Sequence, residues 1–275
     1  MRKKTTCIAL VVCLCSACGG APVLADAPPM PDVSLSGTEE EFSQKRSEHF
    51  IVYYDPEVSE AAARKISAMA ERYYRSITQE FRLIREDLWL WDNRARIYVA
   101  KDRGEYLRRF RCQQWSAACV DYRSKKIFTY PSQNDFSGLL LHELTHIIFR
   151  EYVGHRRLPL WIDEGVATYM EYKNSPSGDR LLRMTEEMVR EDAYIPFRRI
   201  QAMSRLSKSG RAARRFYAQS YSMIVFLRQF GSHYFKPFLS ALKRGESVGD
   251  SLGSSYRSLR SIEQFEKAWK RHYQK

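Results

Sequence analysis

The segment from Leu139 to Phe149 constrains this chain more than any other. Leu139, Leu140, Leu141, Leu144, Ile147, Ile148 and Phe149 make it apolar on most sides, yet it carries His142, Glu143 and His146. Such a stretch reads as a buried helix. Burying two imidazoles together with the carboxylates of Glu143 and Glu151 is unfavourable unless partners compensate them, and a bound dication is such a partner. On a helix, two histidines four apart lie about 40° from each other around the axis and about 6 Å apart along it, so both rings can close on one ion. His142-Glu143-Leu144-Thr145-His146 therefore has the spacing of a zinc site. Glu143 projects beside the same face, where its carboxylate can take a proton from an activated water and return it to a leaving group. Glu164, within Leu158-Pro159-Leu160-Trp161-Ile162-Asp163-Glu164-Gly165, offers a third ligand from a second helix that opens at Pro159. The bland alternative is an exposed amphipathic helix with ordinary surface histidines, and the apolar flanks argue against it.

These residues also carry a resemblance. HELTH followed by PLWIDEGVATYMEY resembles the gluzincin branch of the HExxH metallopeptidases, and within it the bacterial peptidase MA-like domains. There the second element reads roughly W-x-x-E-G-x-A-x-Y, which stands here as Trp161, Glu164, Gly165, Ala167 and Tyr169. The resemblance implies that His142, His146 and Glu164 bind one zinc ion per chain, with Glu143 as general base. It extends loosely downstream over about residues 134 to 272. Phe216-Tyr217-Ala218-Gln219-Ser220-Tyr221 is similar to the family's tyrosine-bearing helix, which implies that Tyr217, with Tyr221 in reserve, polarises the scissile carbonyl. A metzincin site would need Gly at position 149 and His at 152, but Phe149 and Tyr152 stand there.

The rest of the chain sets the context. Residues 1–25 combine Arg2-Lys3-Lys4, a short apolar run and a small-residue end, the layout of a signal peptide, and are too short for a membrane span with those flanks. Two processing routes compete. Val23-Leu24-Ala25 suits ordinary cleavage before Asp26, whereas Cys15-Ser16-Ala17-Cys18 resembles a lipobox with an atypical Cys15 and would lipidate Cys18. Either way the protein is exported, to a bacterial periplasm or cell envelope, and touches a membrane only through such an anchor. The leader carries few of the charges, so the mature chain stays strongly basic, the whole having a formal net charge of +13. Outside the cytoplasm nucleic acid is an unsuitable target, and anionic envelope components join a peptide or protein substrate as candidate partners. Solvated arginine faces explain the same charge equally well. Of six cysteines, only Cys112 and Cys119 lie beyond the leader, and in an oxidising compartment they form a candidate disulfide.

Residues 26–46 are Pro-rich and polar and read as a flexible tether. The remainder, 47–275, reads as one peptidase domain with an α/β part over 47–155 and a helical part over 156–275. His49–Tyr54, Arg94–Ala100, Ala118–Tyr122 and Lys126–Tyr130 have strand character, the last two as a hairpin. The resemblance implies an edge strand that lies over the metal-bearing helix and pairs with an extended substrate, and Lys126–Tyr130, which leads into that helix, is the candidate, an ordinary sheet edge being the alternative. Helical spacing covers about 57–83, 103–110, 179–191, 211–230, 232–243 and 261–273. Ser132 with Asp135 would start the active-site helix and Gly154 would stop it. Trp89 and Trp91 read as core aromatics, and His49, His155, His233 and His272 lack ligand spacing. The expected fold class is α+β: a small mixed sheet with a long helix and the zinc helix, then an all-helical half. The expected function is that of an exported zinc metallopeptidase. A catalytically silent zinc protein and a zinc-free binder of anionic envelope polymers are the alternatives.

Overall fold

The computed structural model describes residues 35–36, 38–83, 89–110, 112, 117–131, 136–154, 158–206 and 209–274. The leader with Cys18, the Ser132–Asp135 helix start and His155 lie outside the described residues.

Strand β1 (Ser43–Arg46) pairs antiparallel with β2 (Phe50–Tyr54), and helix α1 (Glu60–Phe81) follows. The Ser59 side chain caps α1 by accepting from the Ala62 amide. Strand β3 (Ala95–Val99) returns parallel to β2, and the short α2 (Arg103–Arg109) is capped by Asp102. The hairpin of β4 (Ala118–Asp121) and β5 (Lys126–Thr129) completes a sheet of order β1-β2-β3-β5-β4. Its three central strands run parallel and both outer pairs are antiparallel. Helices cover both faces, so the central strands carry apolar residues at successive positions. Phe50, Val52, Ile97, Val99 and Ile127 face the main core with α1, whereas Ile51, Tyr53, Tyr98 and Phe128 pack with Phe42, Tyr106 and Phe110.

The chain then becomes helical: α3 (Phe136–Tyr152), α4 (Leu160–Tyr172), α5 (Pro176–Arg190), α6 (Phe197–Ala202), α7 (Gly210–Arg228), α8 (Ser232–Arg244), α9 (Val248–Ser255) and α10 (Ile262–Tyr273). Helix α3 lies between α1 and α4, and α4 packs in turn on α7. The architecture is the expected α+β one: a small mixed sheet in the N-terminal half and a mostly helical C-terminal half. Gly154, at φ +73°, ends the α3 turn in the left-handed region that favours glycine.

Several expectations need correction. The tether does not extend to residue 46: Ser43–Arg46 is a sheet strand, and Phe42 before it is buried in the second aromatic cluster. Lys126–Thr129 is not an edge, since β5 is paired with β3 on one side and β4 on the other. The outer strand of the β4–β5 hairpin is β4. Trp89 is fully buried as expected, but Trp91 is 77% exposed. Helix α5 opens directly after α4, Ser175 accepting from the Gly178 amide with Pro176 in the first turn. The short helices α6 and α9 had no counterpart in the periodicity.

Candidate metal centre

The site is built on two adjacent helices. Helix α3 presents His142, Glu143 and His146, and α4 presents Glu164, all four side chains buried. The two Nε2 atoms stand 3.1 Å apart. Glu164 Oε2 lies 3.6 Å from the His142 Nε2 and 3.7 Å from the His146 Nε2. Donor atoms about 2.0–2.2 Å from a tetrahedral zinc ion are necessarily about 3.3–3.5 Å from one another. The triangle observed, with sides of 3.1–3.7 Å, is close to that size.

The backs of both rings are held by carboxylates. His142 Nδ1 is 2.8 Å from Glu171 Oε2, and His146 Nδ1 is 3.1 Å from Asp163 Oδ1. When each Nδ1–H donates to its carboxylate, each Nε2 presents a lone pair to the other, a repulsive arrangement that a cation between them resolves. Asp163 is itself gripped by Arg150, whose Nε is 3.1 and 3.0 Å from the two carboxylate oxygens and whose terminal nitrogen also bonds Oδ2. Glu143, Asp163, Glu164 and Glu171 against Arg150 leave the centre with an excess of negative charge when both histidines are neutral. The residues present thus fit a divalent metal.

Electrostatics follow from this crowding. Burial opposes protonation of His142, but contacts with Glu164 and Glu171 outweigh it and raise the pKa well above its ordinary value. His146 is likewise opposed by burial and pushed up to about 9 by Asp163 and Glu164. Burial raises the Glu164 carboxyl, yet the two histidines bring it down to about 2. Burial also raises Glu143, and there it wins over the attraction of His142 and His146. A carboxyl with a raised pKa close to the two histidines and Glu164 is suited to taking and returning a proton.

Helix packing fixes where Glu164 sits. A Cβ on Gly165 would lie 2.8 Å from the Ser220 carbonyl oxygen and 2.9 Å from Ile224 Cγ1, so only glycine lets α4 and α7 approach this closely. Tyr217 lies half-buried on α7, one turn ahead of Tyr221. Tyr221 is buried, its ring 6.4 Å from Tyr169 and its hydroxyl toward Gly178, and burial pushes its pKa up to about 12. It belongs to the helical packing.

Some roles were not assigned from the sequence. Glu151, which looked like a second acid needing a cation, has protein partners instead: the Trp89 indole donates to it at 2.8 Å and Lys125 lies 3.6 Å away. For Asp163 and Glu171 the sequence leaves two readings, carboxylates supporting the metal ligands or the commoner exposed helix charges, and the structure places both on the imidazoles. Glu171 follows Glu164 by seven residues, a helical repeat that could have flagged it. Arg150 continues the stripe of His142 and His146 by one more turn of an apolar helix, a signal that went unread. Glu48, His49 and Glu71 form a second group within metal-binding reach. There, however, Glu71 already receives both the backbone and Nδ1 nitrogens of His49 at 2.7 Å, and Tyr74 stacks on the ring at 4.0 Å, a structural arrangement. Cys112 and Cys119 are paired, with Cα atoms 5.9 Å apart, joining the end of the α2 region to β4.

The model of the Peptidase MA superfamily matches residues 113–275, more than half of the chain, and the protein belongs to that superfamily. No curated protein matches it significantly. Membership supports a peptidase-like activity on a peptide or protein substrate, in a family that is generally zinc-dependent.

Proposed function

We propose that this protein is an exported zinc-dependent metallopeptidase, with His142, His146 and Glu164 as metal ligands and Glu143 as general base. The observation that carries this reading is the triangle of two Nε2 atoms and one Oε2 atom, each separated by 3.1–3.7 Å, with a buried carboxylate beside it. Zinc in such a site supplies a Lewis acid that polarises the scissile carbonyl and lowers the pKa of the attacking water. The chain's own groups do the rest. Glu143 accepts the proton of that water and hands it to the departing amine nitrogen, a task its raised pKa suits. Tyr217 is the candidate donor of a hydrogen bond to the carbonyl oxygen as charge develops there. Glu171 and Asp163 hold the imidazoles in one tautomer and one orientation.

The outer strand of the hairpin, β4, is the better candidate for pairing with an extended substrate, since β5 is paired on both sides. Tyr122, which follows β4, lies edge-on to His146 with ring centroids 5.8 Å apart, so this end of the strand reaches the centre. Export rests on the composition of residues 1–25, with release after cleavage before Asp26 or anchoring at Cys18, two products that an intact mass of the mature protein separates. Among the described residues no helix is long and apolar enough to cross a membrane. The basic charge leaves anionic envelope components as further candidate partners.

The direct test is cleavage of a peptide library by the zinc-loaded protein and by Glu143→Gln. Cleavage by the parent and a loss of at least about 100-fold in the variant, with zinc retained, is the expected result. An active Glu143→Gln protein would overturn the mechanism, and a zinc-loaded parent that cleaves nothing would favour a silent member of the superfamily.

A further inference from the structure

Arg150 is a partly buried ion-pairing group of this region, its side chain 27% exposed, that the mechanism above does not use. It lies one turn past His146 on α3, and its guanidinium is clamped in two directions. Edge-on it binds both oxygens of Asp163, and face-on it lies 3.8 Å from the centroid of the Tyr122 ring. Asp163 Oδ1 therefore accepts from two sides, from Arg150 Nε at 3.1 Å and from His146 Nδ1 at 3.1 Å. The two imidazoles are not supported alike. Among the described residues no arginine or lysine pairs with Glu171, the partner of His142, whose side chain keeps 13% of its exposure. Asp163 keeps 7% and has Arg150.

This asymmetry has a chemical meaning. A histidine that ligates a metal is neutral, so in the loaded centre its supporting carboxylate no longer faces a cation on the ring side. A carboxylate as buried as Asp163 would then be an unpaired charge, free to rotate or to take a proton, and either change releases its hold on Nδ1. An arginine that pairs with both oxygens fixes the plane of the carboxylate and compensates its charge at once, which the point charge of a lysine does not do. The Tyr122 ring covers one face of the guanidinium and helps to keep it from turning away.

We propose that Arg150 is a positioning residue of the metal centre, acting through Asp163 to hold the His146 imidazole in its ligating orientation. The role rests on the zinc reading of the centre, and the test separates the two. Zinc affinity is measured on the mature chain by competition with a chromophoric chelator, and the visible spectrum of the cobalt-substituted protein is recorded, for the parent, His146→Ala, Arg150→Met and Arg150→Lys, each checked for folding by circular dichroism. Arg150→Met is expected to bind zinc about 10–100-fold more weakly than the parent and to shift the cobalt spectrum, with Arg150→Lys recovering part of both. Where Arg150→Met does not fold, Arg150→Lys carries the decision, its expected loss being severalfold. A folded variant that binds zinc as tightly as the parent, with an unchanged cobalt spectrum, would overturn the role of Arg150 and leave the centre standing. A folded parent that binds no zinc, like His146→Ala, would overturn the centre itself and this role with it.

Discussion

Glu171 Oε2 stands 2.8 Å from His142 Nδ1, two helical turns beyond Glu164 on the same face of α4. One helix thus offers the imidazoles both a ligand partner and a support, and the α3–α4 contact sets both distances. Glu171→Gln keeps the size of the side chain but removes the charge that holds the ring. Zinc affinity is predicted to fall by about 10-fold or more with little change in thermal stability, measured by chelator competition alongside a melting curve. Unchanged affinity would show that His142 needs no such support.

Gly165 follows Glu164 and lies against the backbone of Ser220. Alanine at this position gains up to about 1 kcal/mol of helix propensity but drives a methyl group into a carbonyl that cannot move without its helix, a conflict of about 1–3 kcal/mol. The clash wins because the obstacle is backbone. Gly165→Ala is therefore predicted to lower the urea midpoint and to weaken zinc binding, since α4 must shift together with Glu164. A midpoint equal to that of the parent would contradict the close approach.

Glu80 ties three helices together. It accepts from Tyr169 at 2.8 Å and pairs with Lys173 and Arg228, so α1 is fastened to α4 and α7 on the far end of the ligand helix. Burial raises its pKa, but Lys173, Tyr169 and Arg228 more than offset this, and the folded value lies below the ordinary 4.5. A depressed carboxylate pKa stabilises the fold above about pH 4.5, and that contribution is lost as the pH falls through the folded value. Glu80→Gln is predicted to cost about 1–3 kcal/mol at pH 7, discounted for partial exposure, and to flatten the acid limb of the stability curve. Parallel stability curves for parent and variant would exclude this role.

Metal loading should move protons. Without metal, the surrounding carboxylates raise the pKa of His142 and push that of His146 up to about 9, favouring protonated rings, whereas ligation requires them neutral. Zinc binding at pH 7 is predicted to release protons and to weaken as the pH is lowered. Calorimetry in buffers of different ionisation enthalpy measures the number. An enthalpy independent of buffer would contradict the charge state derived for the metal-free centre.

What the sequence made legible was local. The spacing of His142 and His146 and the strand character of Phe50–Tyr54 are fixed by helix and strand periods, so they could be read before any tertiary contact was known. Glu164 as a third ligand needed the resemblance of its surroundings to a family as well. Strand β1 went unseen because Ser43-Gln44-Lys45-Arg46 is polar on both faces and is a strand only because β2 offers it an edge. The same reason misplaced the substrate edge, since which strand of a hairpin lies outside depends on where β3 sits. Arg150, Asp163 and Glu171 are ordinary charges in sequence and acquire their roles only when α3 and α4 meet. Trp91 was assigned to the core by composition, yet the backbone at φ +49° turns it outward.

The central claim is that His142, His146 and Glu164 hold one zinc ion. It is tested most directly by elemental analysis of the untagged chain from residue 26 onward, purified without added chelator, with His146→Ala prepared in parallel. The account predicts close to one zinc per chain in the parent and essentially none in the variant. A correctly folded parent that takes up no zinc, even when zinc is supplied, would contradict it.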